Sequence, residues 1–170
     1  MEDPNPCERA KKWLQSLQKI ENMNKIDPRE APISLDSSNI YEGFVFRGLQ
    51  IDQLQEGRAL CTFKVPPRLV DGNGIWPARV IMSLVDNVCA AAIMTCDKPV
   101  KVSVDYNLSY FSTAKTHDEI EIDARVLGHK GGLSTVVVDM RNKITGQLVA
   151  QARQSMHNLG GLTVTPRSKM

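Results

Sequence analysis

Between Val80 and Cys96 the chain reads VIMSLVDNVCAAAIMTC, seventeen residues with a single charge, Asp86. An ionised carboxylate among apolar side chains is costly unless something compensates it. Its neighbours at helical spacing are Met82, Ser83, Cys89 and Ala90, and none is a cation. Two uses fit such a group. It serves as a general base or nucleophile held in a cleft, or it points outward or bonds to a distant N–H or amide. Just before this run stand Trp76, Pro77, Ala78 and Arg79. The N–H groups of a helix's first turn lack internal acceptors and point along the axis. They can hold an anion or a polarised carbonyl oxygen, besides being capped in the ordinary way. Pro77 has no N–H, so Ala78 and Arg79 are the candidate donors.

Other chemistries find less support. Cys7, Cys61, Cys89 and Cys96 form no C-x-x-C pair and have no His at ligand spacing, so no metal site is expected. Cys89 and Cys96 read as packing thiols within the apolar run. His129 and His157 have no nucleophile near them in sequence, which gives no Ser-His or Cys-His pattern. A chain of 170 residues suits one domain with an appendage. Its 42% hydrophobic and 24% charged residues exclude a disordered or collagen-like chain. The net charge of +2 and the 5% aromatic content argue against a nucleic-acid partner. Arg153, Arg167 and Lys169 supply +3 within the last twenty residues, and the other 150 carry 18 basic and 19 acidic groups, a net −1. The mild basicity is thus a property of the tail. The apolar run is too short to span a bilayer and carries a charge, so no membrane partner is expected.

The N-terminal MEDPNPCERAKK lacks the apolar stretch of a secretory signal, and reduced thiols in an intracellular compartment are expected. The last three residues, Ser168-Lys169-Met170, are similar to the S-K-L address read by the peroxisomal import receptor. Peroxisomal localisation is the expectation, with the cytoplasm as the alternative.

The elements that must position these residues are legible from periodicity. Trp13, Leu14, Leu17 and Ile20 predict an amphipathic helix over 6–26, ended by Pro28 and Pro32. Phe44, Phe46 and Leu49, then Leu60, Phe63 and Val65, predict two strands in a hairpin turned at 53–57. Asp71-Gly72-Asn73-Gly74 predicts a loop. A helix is expected over 77–95 with Pro77 as its first residue, apolar nearly all round and hence enclosed by protein. Alternation then predicts strands over 102–110, 120–126, 134–140 and 147–156, separated by turns at 129–132 and 142–146. One enclosed helix among five or six antiparallel strands in a meander makes an α+β fold with the sheet wrapped round the helix. Cystatin-like folds and lipocalins place their helix elsewhere in the order.

Three stretches carry a family resemblance: IMSLVDN, then VSVDYNLSYFSTAK, then NKITGQLVAQAR. From about Phe44 to Gly160 the chain resembles the hotdog-fold thioesterases, and within them the PaaI-like small acyl-coenzyme A thioesterases, plant-type members included. The resemblance implies an antiparallel sheet wrapped round a long central helix, to which the N-terminal helix expected from periodicity is an extra. It divides the chain into an extension over 1–40, a thioesterase domain over 41–160 and a flexible tail over 161–170. It implies a homodimer or homotetramer with active sites at the dimer interface, and no cofactor. Asp86 matches the family Asp that activates water or attacks the thioester carbonyl, and Ser103 matches the Ser that holds the water. The oxyanion loop comes from the other subunit. There the family reads Asn and, after five residues, His-Gly-Gly, where this chain has Asp71 and Pro77-Ala78-Arg79.

The Ala78 N–H remains the implied oxyanion donor. Asp71, Gly74, Pro77 and Arg79 are expected to meet substrate around it. For the coenzyme A phosphates the candidates are Lys130, Arg153 and His157, with Lys115 and Arg125 beside them. The implied function is hydrolysis of an acyl-coenzyme A to free acid and coenzyme A. Losing one oxyanion donor costs about 10²- to 10³-fold in rate. The altered loop therefore also suits a catalytically weak or inactive hotdog protein that binds acyl-coenzyme A or acts as a scaffold. A hotdog hydratase needs His five residues after the helix Asp, and Ala91 stands there.

Overall fold

A computed structural model of the chain describes residues 5–18, 36–96 and 101–158. Helix α1 (Pro6–Leu17) starts on Asn5, whose Oδ1 accepts from the Cys7 N–H at 3.0 Å, with Pro6 in the first turn. It buries Ala10, Leu14 and Leu17. Arg9 Nη2 donates to the Met94 carbonyl at 3.1 Å and Gln18 Nε2 to the Leu49 carbonyl at 3.0 Å. The expected continuation of this helix to residue 26 lies outside the described residues, as does the tail over 161–170.

Helix α2 (Asp36–Phe46) corrects the strand expected around Phe44 and Phe46. Val45 and Phe46 are buried side by side, while Tyr41 and Phe44 are exposed. Adjacent residues never share a face of a strand, so this burial fits a helix packing on α1 and the central helix. Tertiary packing has overridden an aromatic and β-branched composition.

The strands are β1 (Leu49–Gln55), β2 (Arg58–Lys64), β3 (Lys101–Tyr110), β4 (Glu119–Lys130), β5 (Leu133–Asn142) and β6 (Leu148–Asn158). They form one antiparallel sheet in the order β1-β2-β4-β5-β6-β3. The expected meander holds for β4, β5 and β6. Strand β3 departs from it: β4 is paired on both sides by β2 and β5, and β3 takes the free edge of β6 instead. The inward faces of β4 and β5 alternate strictly, with Ile120, Ile122, Ala124 and then Val136, Val138, Met140 fully buried.

These faces close on helix α3 (Ala78–Met94), which starts one residue later than expected, with Pro77 as its cap residue. Ten of its residues are buried, among them Leu84, Val85, Val88, Cys89 and Ala91 to Ile93. The seven exceptions, Ala78, Arg79, Met82, Ser83, Asp86, Asn87 and Ala90, recur at three and four positions. They form one narrow seam along the helix that the sheet leaves uncovered. Fixed hydroxyls border this seam: Tyr106 donates to the Met82 carbonyl at 3.3 Å and Tyr110 to the Ala78 carbonyl at 3.1 Å.

Candidate active site

Asp86 lies mid-seam, half-buried, and its missing partners come from the sheet. Ser103 Oγ, on β3, donates to Asp86 Oδ1 at 2.8 Å. Gln154 Nε2, on β6, donates to the same Oδ1 and reaches Ser103 Oγ at 2.7 Å. β3 and β6 are neighbours, so one stretch of ladder presents both side chains to one turn of helix. Among the described residues both contacts to the carboxylate fall on Oδ1, which leaves Oδ2 for a water. Gln154 is fully buried, and its Oε1 is a buried acceptor with no donor among the described residues. Nothing in the sequence reading singled Gln154 out. A signal was present all the same: it is the one amide among the inward positions Ala150, Ala152 and Met156 of β6.

The surrounding groups are poor acids. Burial, and then the charge of Asp86, pushes the Cys89 thiol up, which keeps it a neutral packing group. Burial is also the largest cause that raises Tyr106, followed by Cys89, Asp86 and Tyr110, so its hydroxyl stays a donor. That leaves the Asp86 carboxylate as the candidate base of this cluster. A cavity of about 290 Å³ opens beside it, lined by Asp86, Asn87, Lys101 and Ser103 and by apolar groups from α1, α3, β3 and β6.

The loop residues sit elsewhere. Ala78 precedes Asp86 by eight residues on one helix, about 12 Å along the axis. Asp71 Oδ1 accepts from the N–H groups of Asn73 and Ile75, both at 2.9 Å, and so shapes its own loop. Gly74 takes a positive φ of 73° that a side chain would disfavour. The N–H of Val80 bonds to the Pro77 carbonyl at 3.0 Å, and Arg79 is exposed.

Lys130 and Arg153 line a second, shallow depression of about 270 Å³ with His129, Leu127, Leu133 and Thr135. His157 is not among its lining residues but pairs across the sheet with Leu133, which is. Its ring packs on Gly132, where an added Cβ would meet the imidazole at 2.8 Å, and its Nδ1–H donates to the Asn158 carbonyl at 2.8 Å. Lys115 is exposed, and Arg125 pairs with Asp139 at 3.2 Å on the outer sheet face. The four cysteines are free thiols. Among the described residues no group of His, Cys, Asp and Glu is arranged to hold a metal ion, and no helix is long and apolar enough to cross a membrane.

Comparison with known proteins bears on the family and the fold. A profile of the thioesterase superfamily matches residues 80–149, which include Asp86 and Ser103. The human protein named acyl-coenzyme A thioesterase 13 is 35% identical over 102 residues, 59% of this chain and 73% of that one. The crystal structure of zebrafish thioesterase superfamily member 2 superposes with a TM-score of 0.65 at 29% identity, covering 76% of this chain and 88% of that one. A hypothetical thioesterase protein from Streptococcus pneumoniae, solved with coenzyme A, shares the fold with a TM-score of 0.62 at 18% identity, over 65% and 84% of the two chains. Sheet, central helix and relatives agree: the chain belongs to the thioesterase superfamily, with the hotdog fold, and is a hydrolase acting on thioesters.

Proposed function

We propose that the protein hydrolyses an acyl-coenzyme A to the free acid and coenzyme A, with Asp86 activating the water. The observation that carries this is the Asp86–Ser103–Gln154 cluster opening on a largely apolar cavity. The name of the human relative supports the choice of thioester. A water beside Asp86 gives its proton to the carboxylate as its oxygen attacks the thioester carbon. Ser103 and Gln154 hold Oδ1 so that the other oxygen meets the water. The carbonyl oxygen takes up negative charge, and collapse expels the coenzyme A thiolate, which takes the proton back. A thiol has a pKa of about 8.5, so the leaving group needs no stronger acid.

The developing oxyanion needs a donor about 3 Å away. The Ala78 N–H of the same helix is too far from Asp86 to serve, so we assign that role to Ala78 of a second copy. Support for a homodimer comes from β3, an edge strand that exposes Val102 and, at 57%, Val104. Lys130 and Arg153, with His157 paired to the neighbouring Leu133, are the candidate partners of the coenzyme A phosphates. The protein would act in the peroxisome if the import receptor reads Ser168-Lys169-Met170; deleting the three residues should then release it to the cytoplasm.

The test of the reaction is coenzyme A release from an acyl-coenzyme A panel, with native protein and Asp86→Asn. Loss of the base should lower kcat by about 10²- to 10⁴-fold. Tight binding without turnover of any substrate would replace this reading with that of an acyl-coenzyme A binding protein. Turnover unchanged by the substitution would remove Asp86 from the mechanism.

A further inference from the structure

Helix α1 lies outside the matched family region, yet it forms a wall of the cavity that Asp86 opens on. The cavity follows the seam of α3 from Asp86 and Asn87 through Ala90 to Ile93 and Met94, eight residues and about 12 Å. Val102 and Met156 close it from β3 and β6, and Trp13 closes it from α1. Trp13 is held there by its own helix. Ala10, Leu14 and Leu17 are buried, and Arg9, one turn before Trp13, bonds to the carbonyl of Met94. An indole body covers more apolar surface than any aliphatic side chain and has few rotamers.

We propose that Trp13 is a specificity-determining residue, the wall against which the acyl chain of the substrate lies, and that it sets the upper limit of chain length. The inference rests on the reading of the protein as an acyl-coenzyme A thioesterase. The thioester carbon must sit near Asp86, and among the described residues the seam cavity is the space beside it that offers apolar cover, with Lys101 at its border. Its volume of about 290 Å³, set against roughly 30 Å³ for a water-sized group, accommodates roughly ten heavy atoms. The matching substrate is a straight medium-chain acyl group of about eight to ten carbons. Each methylene that finds apolar cover is worth about fourfold in kcat/KM, and one that meets the indole is penalised.

Two measurements test this. The first is the chain-length profile of kcat/KM from acetyl- to palmitoyl-coenzyme A, for native protein, Trp13→Ala and Ala90→Leu. Native activity should peak at medium chains. Trp13→Ala should move the peak to longer chains and raise the long-to-medium ratio at least tenfold, while Ala90→Leu, which narrows the cavity from the other side, should move it to shorter ones. A profile of unchanged shape in both variants overturns the role of Trp13 while leaving the thioesterase reading intact.

The second does not depend on turnover. The chain has two tryptophans, and Trp76 is buried against Phe63, so a Trp76→Phe background isolates Trp13. A non-hydrolysable acyl-coenzyme A thioether with bromine near the chain end should quench Trp13 fluorescence upon binding, whereas coenzyme A alone should not. Saturable binding by calorimetry without quenching overturns the inference, and so does absence of binding. In a Trp13→Ala protein that fails to fold, the Ala90→Leu profile and the quenching experiment still decide the matter.

Discussion

Replacing Gln154 with leucine separates catalysis from stability. The substitution deletes an amide while keeping most of its volume at a fully buried position. The Nε2 bond to the Asp86 carboxylate is lost, about 1.5–3 kcal/mol, as is the bond to Ser103 Oγ at 2.7 Å, about 1 kcal/mol. Against this, the unsatisfied Oε1 disappears, and such a buried acceptor costs about 1–3 kcal/mol. The terms partly cancel, and the native and Gln154→Leu proteins should unfold within about 3 kcal/mol of each other. Catalysis has no such compensation. Ser103 loses the donor that turns its hydroxyl toward Asp86, and the carboxylate loses one of its two anchors on Oδ1. A positioning loss of about 1.4–2.8 kcal/mol corresponds to a 10- to 100-fold fall in kcat. KM should stay within about threefold, because Gln154 lies beneath the carboxylate, outside the cavity lining. The assay is coenzyme A thiol release under saturating substrate, paired with urea unfolding of the same preparation. A kcat within twofold of native would refute the reasoning. So would a loss of activity that tracks the unfolded fraction, which would make Gln154 a packing residue only.

The remaining expectations concern thiols and the N-terminal helix. In the native protein, Cys7 and Cys96 should react with a maleimide while Cys61 and Cys89 resist, which peptide mass spectrometry reads directly. Burial, then the charge of Asp52, pushes the Cys61 thiol up from 9.0 to about 12. The folded chain therefore keeps a proton that the unfolded chain releases above pH 9. Stability should fall as pH rises, by about 1.4 kcal/mol per unit between pH 9 and 12 for this thiol, seen as a lower urea midpoint at pH 10 than at pH 8. Leu14→Ala, at a fully buried site between α1 and the core, should cost about 2–5 kcal/mol in urea unfolding.

Local pattern made most of the fold legible. The apolar run of α3 and the alternation in β3 to β6 are short-range signals, and burial acts on them one residue at a time. Two features depended on neighbours far along the chain. Residues 41–46 have strand-like composition, and only packing against α1 and α3 makes them a helix. The alternation of β3 suits any partner. Its place at the sheet edge follows from β4 already having β2 and β5 on its two sides, a fact about the whole sheet.

The site divides in the same way. Asp86 stood out because a lone charge in an apolar helix demands an explanation, whereas Ser103 was visible only through family resemblance. Gln154 was overlooked, although the same test finds it: an amide at an inward position of β6 is as misplaced, by pattern, as a carboxylate in α3. Each misfit is the answer to the other, since the amide N–H groups offset the half-buried charge and the charge gives those N–H groups an acceptor. Two polar residues set into apolar faces of different elements are therefore worth pairing before a structure exists. The spacing of Ala78 and Asp86 carries a further consequence that needs only helix geometry. Eight residues of helix place the Ala78 N–H and the Asp86 carboxylate about 12 Å apart, while a thioester carbonyl spans little more than about 1 Å. In the proposed mechanism both groups act on one carbonyl, and on that reading they come from two copies of the chain.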